Sequence, residues 1–220
     1  MIVVIELSDI VFAVDSIPAS FGITTDAFAV CVLHSIAPFV DYLRTVHGLT
    51  LSMDSFALTG NVKRPDGSAV EPKEFPPLLD GFFADWMHNQ HPIIGAADSL
   101  GQLAKDCDVV VLTNIADHHA ERRTMELARL GMPYRVIGNQ GGKGPPMQKL
   151  LDEFQPSEAI FIDDLPPNHT SVKAHVPHVH RLHMVAETEV RHLIPQSPDA
   201  HARHDEWPAM LSHIETILKG

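Results

Sequence analysis

Short apolar runs that stop at turn residues recur along this chain and alternate with stretches of helical periodicity. Val109-Val110-Val111-Leu112 runs into Thr113-Asn114, and Ala159-Ile160-Phe161-Ile162 runs into Asp163-Asp164 before Pro166-Pro167 breaks the chain. Val179 to Met184, more polar, also looks like a strand. Runs of this length bounded by turn residues are expected to be strands buried on both faces of a parallel sheet. Helical stretches lie between them. One spans about Asp117 to Leu130, with Gly131 as its stop, and another spans Met147 to Phe154, set up by Pro145 or Pro146. Ala96 to Lys105 and Trp207 to Leu218, with Pro208 near its start, complete the set.

Upstream the pattern is looser. Phe39–Leu43 and Leu78–Met87 have helical spacing, and Lys63–Ser68 reads as a turn and loop. The expected organisation is an N-terminal segment over 1–31, a small helical insert over 35–90 and an α/β body over 91–220. The 1–31 segment is itself a candidate for the first core strand.

The strand ends carry the candidate chemistry, because ligands of open α/β sheets bind at the carboxyl ends of the strands. Asp163 and Asp164 would repel one another unless a cation lay between them, and hard oxygen ligands suit Mg²⁺. The alternative is that Asp164 or Asn168 merely caps the next helix. Thr113 and Asn114 can offer a hydroxyl, an amide and backbone N–H groups to an anion, although ordinary helix capping needs the same residues. In Asn139-Gln140-Gly141-Gly142-Lys143-Gly144-Pro145-Pro146 the glycines permit tight turns, and Lys143 is the single cation. The spacing is not that of a Walker A loop. A lone Lys in such a loop is commonly just solvated.

The order strand–Thr113, loop–Lys143, strand–Asp163/Asp164 resembles motifs two, three and four of the haloacid dehalogenase-like (HAD) hydrolases, over about residues 33–220. VVVLTN, NQGGKG, FIDDL, HVHRLHM and the HARHDEW tail are similar in kind to a bacterial group of small HAD proteins. The resemblance implies a Rossmann-type parallel sheet with helices on both faces and a small helical cap. It also implies a Mg²⁺-dependent phosphatase that acts on a small phosphate monoester through an aspartyl-phosphate. Thr113, Asn114 and Lys143 would hold the phosphoryl group, and the nucleophile with Asp163 and Asp164 would hold the metal. The family's first motif, Asp-x-Asp after an apolar strand, is incomplete here. The candidates are Asp15, with Ile17 at the acid position, and Asp26, with Phe28 there. Asp26 is favoured by its distance from Leu33-His34-Ser35-Ile36. A non-catalytic HAD-fold protein that keeps the phosphate and metal pocket is the alternative.

Residues 3–30, from Glu6-Leu7-Ser8-Asp9 through Asp15-Ser16-Ile17-Pro18 to Asp26, resemble instead the signature of TerC-type membrane proteins linked to tellurium resistance. That would imply a metal-resistance membrane protein fragment. Glu6, Asp9 and Asp15 interrupt the apolar run short of the roughly 20 residues a span needs, so a membrane is not expected. The 220 residues suffice for one core with an insert, and the hydrophobic content of 45% is that of a globular protein. A formal net charge of −12 without a basic patch argues against nucleic acid. Cys31 and Cys107, far apart, read as reduced thiols of a cytoplasmic protein. No charged leader precedes the first apolar run. Among the fifteen histidines, His175-x-x-His178-x-His180 has a metal-like spacing, with surface and loop histidines as the plainer reading. Oligomeric state is open.

Overall fold

The structure, a computed structural model, describes residues 1–7, 32–53 and 58–219, with only the backbone of residues 5–7. Its centre is a six-stranded sheet. In chain order the strands are β1 (Ile2–Leu7), β6 (Asp108–Thr113), β7 (Arg135–Gly138), β8 (Ala159–Asp163), β9 (His180–His183) and β10 (Ala202–Arg203). They lie in the order β10-β9-β8-β1-β6-β7, and every pairing is parallel. The chain therefore winds outward from β1 through β6 and β7, then crosses back to β8 on the other side and winds outward again. Such a reversal leaves a crevice at the carboxyl end of the central strands.

The alternation of the buried runs explains the two faces. Val3, Val109, Val111, Ile160, Ile162 and Leu182 point into one apolar layer beneath α3 (Ala96–Leu103), α4 (Asp117–Arg129) and α7 (Trp207–Lys219). Ile2, Val4, Val110, Leu112 and Phe161 point into the other, covered by α5 (Gly144–Phe154) and α6 (Pro166–His175). Side chains that alternate at a period of two and are apolar at every position leave no solvent face, as a doubly covered parallel sheet requires. Gly144, at the start of α5, sits so close to Ser171 and His175 of α6 that a Cβ there would clash with both. The two helices meet at the Lys143 loop for that reason.

The described residues between Leu33 and Pro92 form a second layer against the sheet's carboxyl edge. It comprises β2 (Leu33–His34) paired antiparallel with β5 (His91–Pro92), α1 (Ile36–His47), the hairpin β3 (Thr50–Leu51)–β4 (Val62–Lys63), and α2 (Phe75–Gly81) continuing in irregular helical turns to Asn89. Its core of Phe39, Tyr42, Leu43, Phe75, Leu79, Phe82 and Phe83 is continuous with Ile115, Leu165, Val185 and Val190 of the α/β body. A buried polar chain also ties the two parts. The Glu187 carboxylate accepts the backbone N–H of Ser35 at 2.5 Å and of Ile36 at 3.1 Å, and so satisfies the start of α1. Gln90 Nε2 donates to Ser35 Oγ, and Arg123 Nη1 donates to Gln90 Oε1 at 2.6 Å.

The strand runs Val109–Asn114, Ala159–Asp164 and Val179–Met184 thus materialise within a residue or two of their expected bounds. The first core strand is Ile2–Leu7. Of residues 3–30, which resemble the membrane-protein signature, residues 3–7 form a strand paired along its length with β6 and as far as Ile5 with β8, and residues 8–30 lie outside the described residues. No helix among the described residues is long and apolar enough to cross a membrane.

Candidate active site

Leu7 of β1 is level with Thr113 of β6, and Ile5 with Ile162 of β8. The backbone of Glu6 is therefore one step further along than Ile162, beside Asp163. Thr113 and Asp163 close the two strands that flank β1, at the same end of the sheet. The expected nucleophile Asp26, with Asp15 and Phe28, lies outside the described residues.

The Asp163 carboxylate is fully buried and is held by three hydrogen bonds. Leu165 N donates to Oδ1 at 2.6 Å, and Asn168 Nδ2 donates to Oδ1 at 3.3 Å and Oδ2 at 3.0 Å. Neither Asp164 nor Asn168 caps the next helix: the N-cap of α6 is Leu165, without a side-chain cap bond, and Asp163 instead accepts from Leu165 in a turn that leads into Pro166 and Pro167. Burial pushes the Asp163 pKa well up, the adjacent Asp164 pushes it further, and the Leu165 N–H, the Lys143 charge and Asn168 oppose them. Asp164 is also buried. Two histidines clamp the backbone here. His169 Nε2 meets the carbonyl oxygen of Asp163 at 3.0 Å, and His183 Nε2 meets that of Asp164 at 2.7 Å. Their rings lie 5.4 Å apart. Burial lowers the pKa of both, that of His169 to about 3, so both are neutral donors.

The Gly-rich loop returns to the same place. Asn139 N donates to the Thr113 carbonyl at 2.8 Å, and its side-chain amide bonds Asn114 Oδ1 and Gly141 O, both at 2.9 Å. Gly141 adopts φ +90°, which a side chain would strain. Lys143 is not solvated: it is fully buried, and its Nζ donates to Asn114 Oδ1 at 2.5 Å. Thr113, Asn114, Lys143, Asp163 and Asp164 are thereby gathered at one sheet edge.

A cleft of about 570 Å³ opens next to them. Pro76, Pro77, Leu79, Asp80 and Phe83 of the insert line one wall, and Asn114 to Asp117, His119 and Gln140 the other. Thr113, Lys143, Asp163 and Asp164 do not line it, so Asn114 is the contact between the open space and the buried polar cluster. Sequence reasoning missed His169, His183 and Glu187. The repeated His in HVHRLHM was the one available signal, and it was weighed as a metal spacing. Of that spacing, His175 and His178 are exposed and His180 is half-buried. The His183 ring belongs to the Asp164 turn.

The fold is that of HAD-like proteins across nearly the whole chain. A haloacid dehalogenase-like family hydrolase from Streptococcus pneumoniae superposes with a TM-score of 0.59 at 12% identity, covering 96% of this chain and 97% of its own. A Thermotoga maritima protein provisionally named a beta-phosphoglucomutase gives 0.60 at 13%, covering 99% and 100%. A haloacid dehalogenase-like protein from Agrobacterium tumefaciens gives 0.60 at 14%, with 98% of each chain covered. No protein-family model and no curated protein matches the sequence.

Proposed function

We propose that this chain is a Mg²⁺-dependent phosphohydrolase that cleaves a small phosphate monoester through a phosphorylated carboxylate. The observation that carries the reading is the gathering of Thr113, Lys143 and Asp163 at the carboxyl edge of the central strands, in an HAD-like sheet. Thr113 and Asn114 offer neutral hydrogen-bond donors and Lys143 a fixed positive charge, the set that a phosphoryl group with developing negative charge requires. Asp163 and Asp164 fit a hard divalent cation. They are adjacent, buried and mutually repelling, and the three hydrogen bonds to Asp163 leave acceptor capacity on a group with about four lone-pair sites. Mg²⁺ there would supply charge neutralisation for the phosphate.

A carboxylate oxygen attacks phosphorus, the ester P–O bond breaks, and the departing oxygen takes a proton. Water then attacks the acyl phosphate and releases inorganic phosphate with the carboxylate restored. Asp26 is proposed as that nucleophile. The register of β1 favours a second assignment, Glu6, because its backbone lies beside Asp163 and one residue before the partner of Thr113. Two positions after either residue, where the family's proton donor stands, the chain has Phe28 or Ser8 instead of a carboxylate. General acid–base help is worth about 10²–10⁴-fold, so turnover is slow. At the limit, the pocket binds phosphate without cleaving it.

The test is steady-state hydrolysis of p-nitrophenyl phosphate, with and without Mg²⁺, by wild type, Asp26→Asn and Glu6→Gln. Loss of Mg²⁺-dependent turnover in one variant identifies the nucleophile. Survival in both removes the mechanism, and no turnover in wild type leaves the phosphate-binding protein.

A further inference from the structure

Among the described residues, Asp80, His118 and His119 form a trio whose ligand atoms all lie within 4.8 Å of one another. His118 Nε2 is 2.9 Å and His119 Nε2 is 2.8 Å from the same oxygen, Asp80 Oδ1. We infer that this trio is a divalent transition-metal site of the zinc class, distinct from the Asp163/Asp164 pair, that fastens the insert to the α/β body at the mouth of the cleft.

Four observations converge on it. The ligands come from both sides of the cleft, since Asp80 belongs to α2 of the insert and the histidines to the first turn of α4. Two imidazoles and one carboxylate are the borderline donor set that zinc and its neighbours select over magnesium. The spacing is nearly right: metal bonds of about 2.0–2.1 Å place tetrahedral ligands roughly 3.3 Å apart, so the two Nε2–Oδ1 separations need open by only about half an ångström. Finally, one of the three ligands is already anchored in the core. The His119 side chain is only 6% exposed and packs 5.9 Å from the Phe83 ring, so its position is fixed by the core before a metal arrives.

Three protein ligands leave a fourth position in a tetrahedral site. Asp80 and His119 both line the 570 Å³ cleft, so that position faces the space in which a substrate's leaving group would lie. An oxygen or nitrogen atom of a bound small molecule, or water, would fill it. Without metal, the same contacts are two ordinary N–H···O bonds to a half-exposed carboxylate, worth little in water.

The experiment titrates Zn²⁺ by calorimetry, and Co²⁺ by its visible absorption, into the chelator-treated full chain. The panel is wild type, Asp80→Asn, His118→Gln, His119→Gln, Asp163→Asn and His213→Gln, each checked for intact fold by circular dichroism. The site predicts one tight equivalent in wild type with a tetrahedral Co²⁺ spectrum. Losing an outer-shell partner alone costs about 10–100-fold, so loss of a ligand in the first three variants should weaken binding at least tenfold. Asp163→Asn and His213→Gln should bind as wild type. No tight equivalent in wild type, or one that the three substitutions leave unchanged, overturns the site. Metal binding is read here without any phosphatase assay, so its failure and that of the proposed activity are separable.

Discussion

Lys143 and Asn114 meet at 2.5 Å, Nζ to Oδ1, with the ammonium shut away from solvent and Asn114 at the edge of the cleft. A buried ammonium is costly unless it is compensated. A phosphate oxygen is a stronger acceptor for it than an amide oxygen. Lys143→Met, which preserves the volume, should weaken binding of inorganic phosphate about 10- to 100-fold, the worth of a hydrogen bond to a charged group. Calorimetry with phosphate in excess Mg²⁺ reads this. Unchanged affinity would remove Lys143 from the anion site.

Asp163 gives a second prediction through its raised pKa. The folded chain holds the proton to a higher pH than the unfolded chain does. The stability from this group is therefore present in acid and is lost as pH rises from the ordinary carboxylate range through the folded value. At neutral pH in chelator, Asp163→Asn should melt a few degrees higher than wild type, since about 1 kcal/mol corresponds to 2–4 °C in a chain of this size. Added Mg²⁺ should then stabilise wild type and leave the variant unmoved. A variant that melts lower in chelator would show that the carboxylate is ionised and satisfied without metal.

His169 acts in the opposite sense. The unfolded chain takes up its imidazole proton near 6.5, the folded chain only at about 3. Its stability is full above 6.5 and is lost as pH falls through that window, by up to roughly 5 kcal/mol at about 1.4 kcal/mol per unit. His169→Gln retains an N–H for the Asp163 carbonyl and cannot titrate. Denaturant unfolding from pH 7 to pH 4 should show a shallower decline for the variant. Parallel declines would mean that His169 does not govern acid stability.

Glu187 supplies a mechanical prediction. It satisfies the first N–H groups of α1 from a loop 151 and 152 residues away. Glu187→Ala leaves buried donors unpaired at about 1–3 kcal/mol and loosens the insert from the sheet. Urea unfolding should show that loss, and Glu187→Gln should recover part of it. Wild-type stability in Glu187→Ala would mean that water replaces the carboxylate.

Much of this architecture could be read from the chain because the sheet is buried on both faces. Val109–Leu112 and Ala159–Ile162 are apolar at successive positions, as a doubly covered strand requires. The position of β1 was harder. Ile2–Ile5 is an equally apolar run ending at a carboxylate, but the longer apolar run favours Asp15 and the distance to Leu33 favours Asp26. Lys143 was legible as a residue but not as a buried one, because burial comes from the return of its loop onto Asn114. The Asp80–His118–His119 trio joins residues 38 and 39 positions apart and depends on how the insert sits over α4, which no local spacing encodes.

The central claim is that a carboxylate of this chain becomes phosphorylated. The direct measurement is a rapid acid quench of wild type turning over a radiolabelled phosphate monoester with Mg²⁺, followed by counting label on the protein and mapping it. Acid-stable, hydroxylamine-labile label is expected on one carboxylate of the segment that begins with β1, absent from whichever of Asp26→Asn or Glu6→Gln has lost turnover. Hydrolysis that proceeds with no label on the chain at any quench time, or label on a residue elsewhere, would contradict it.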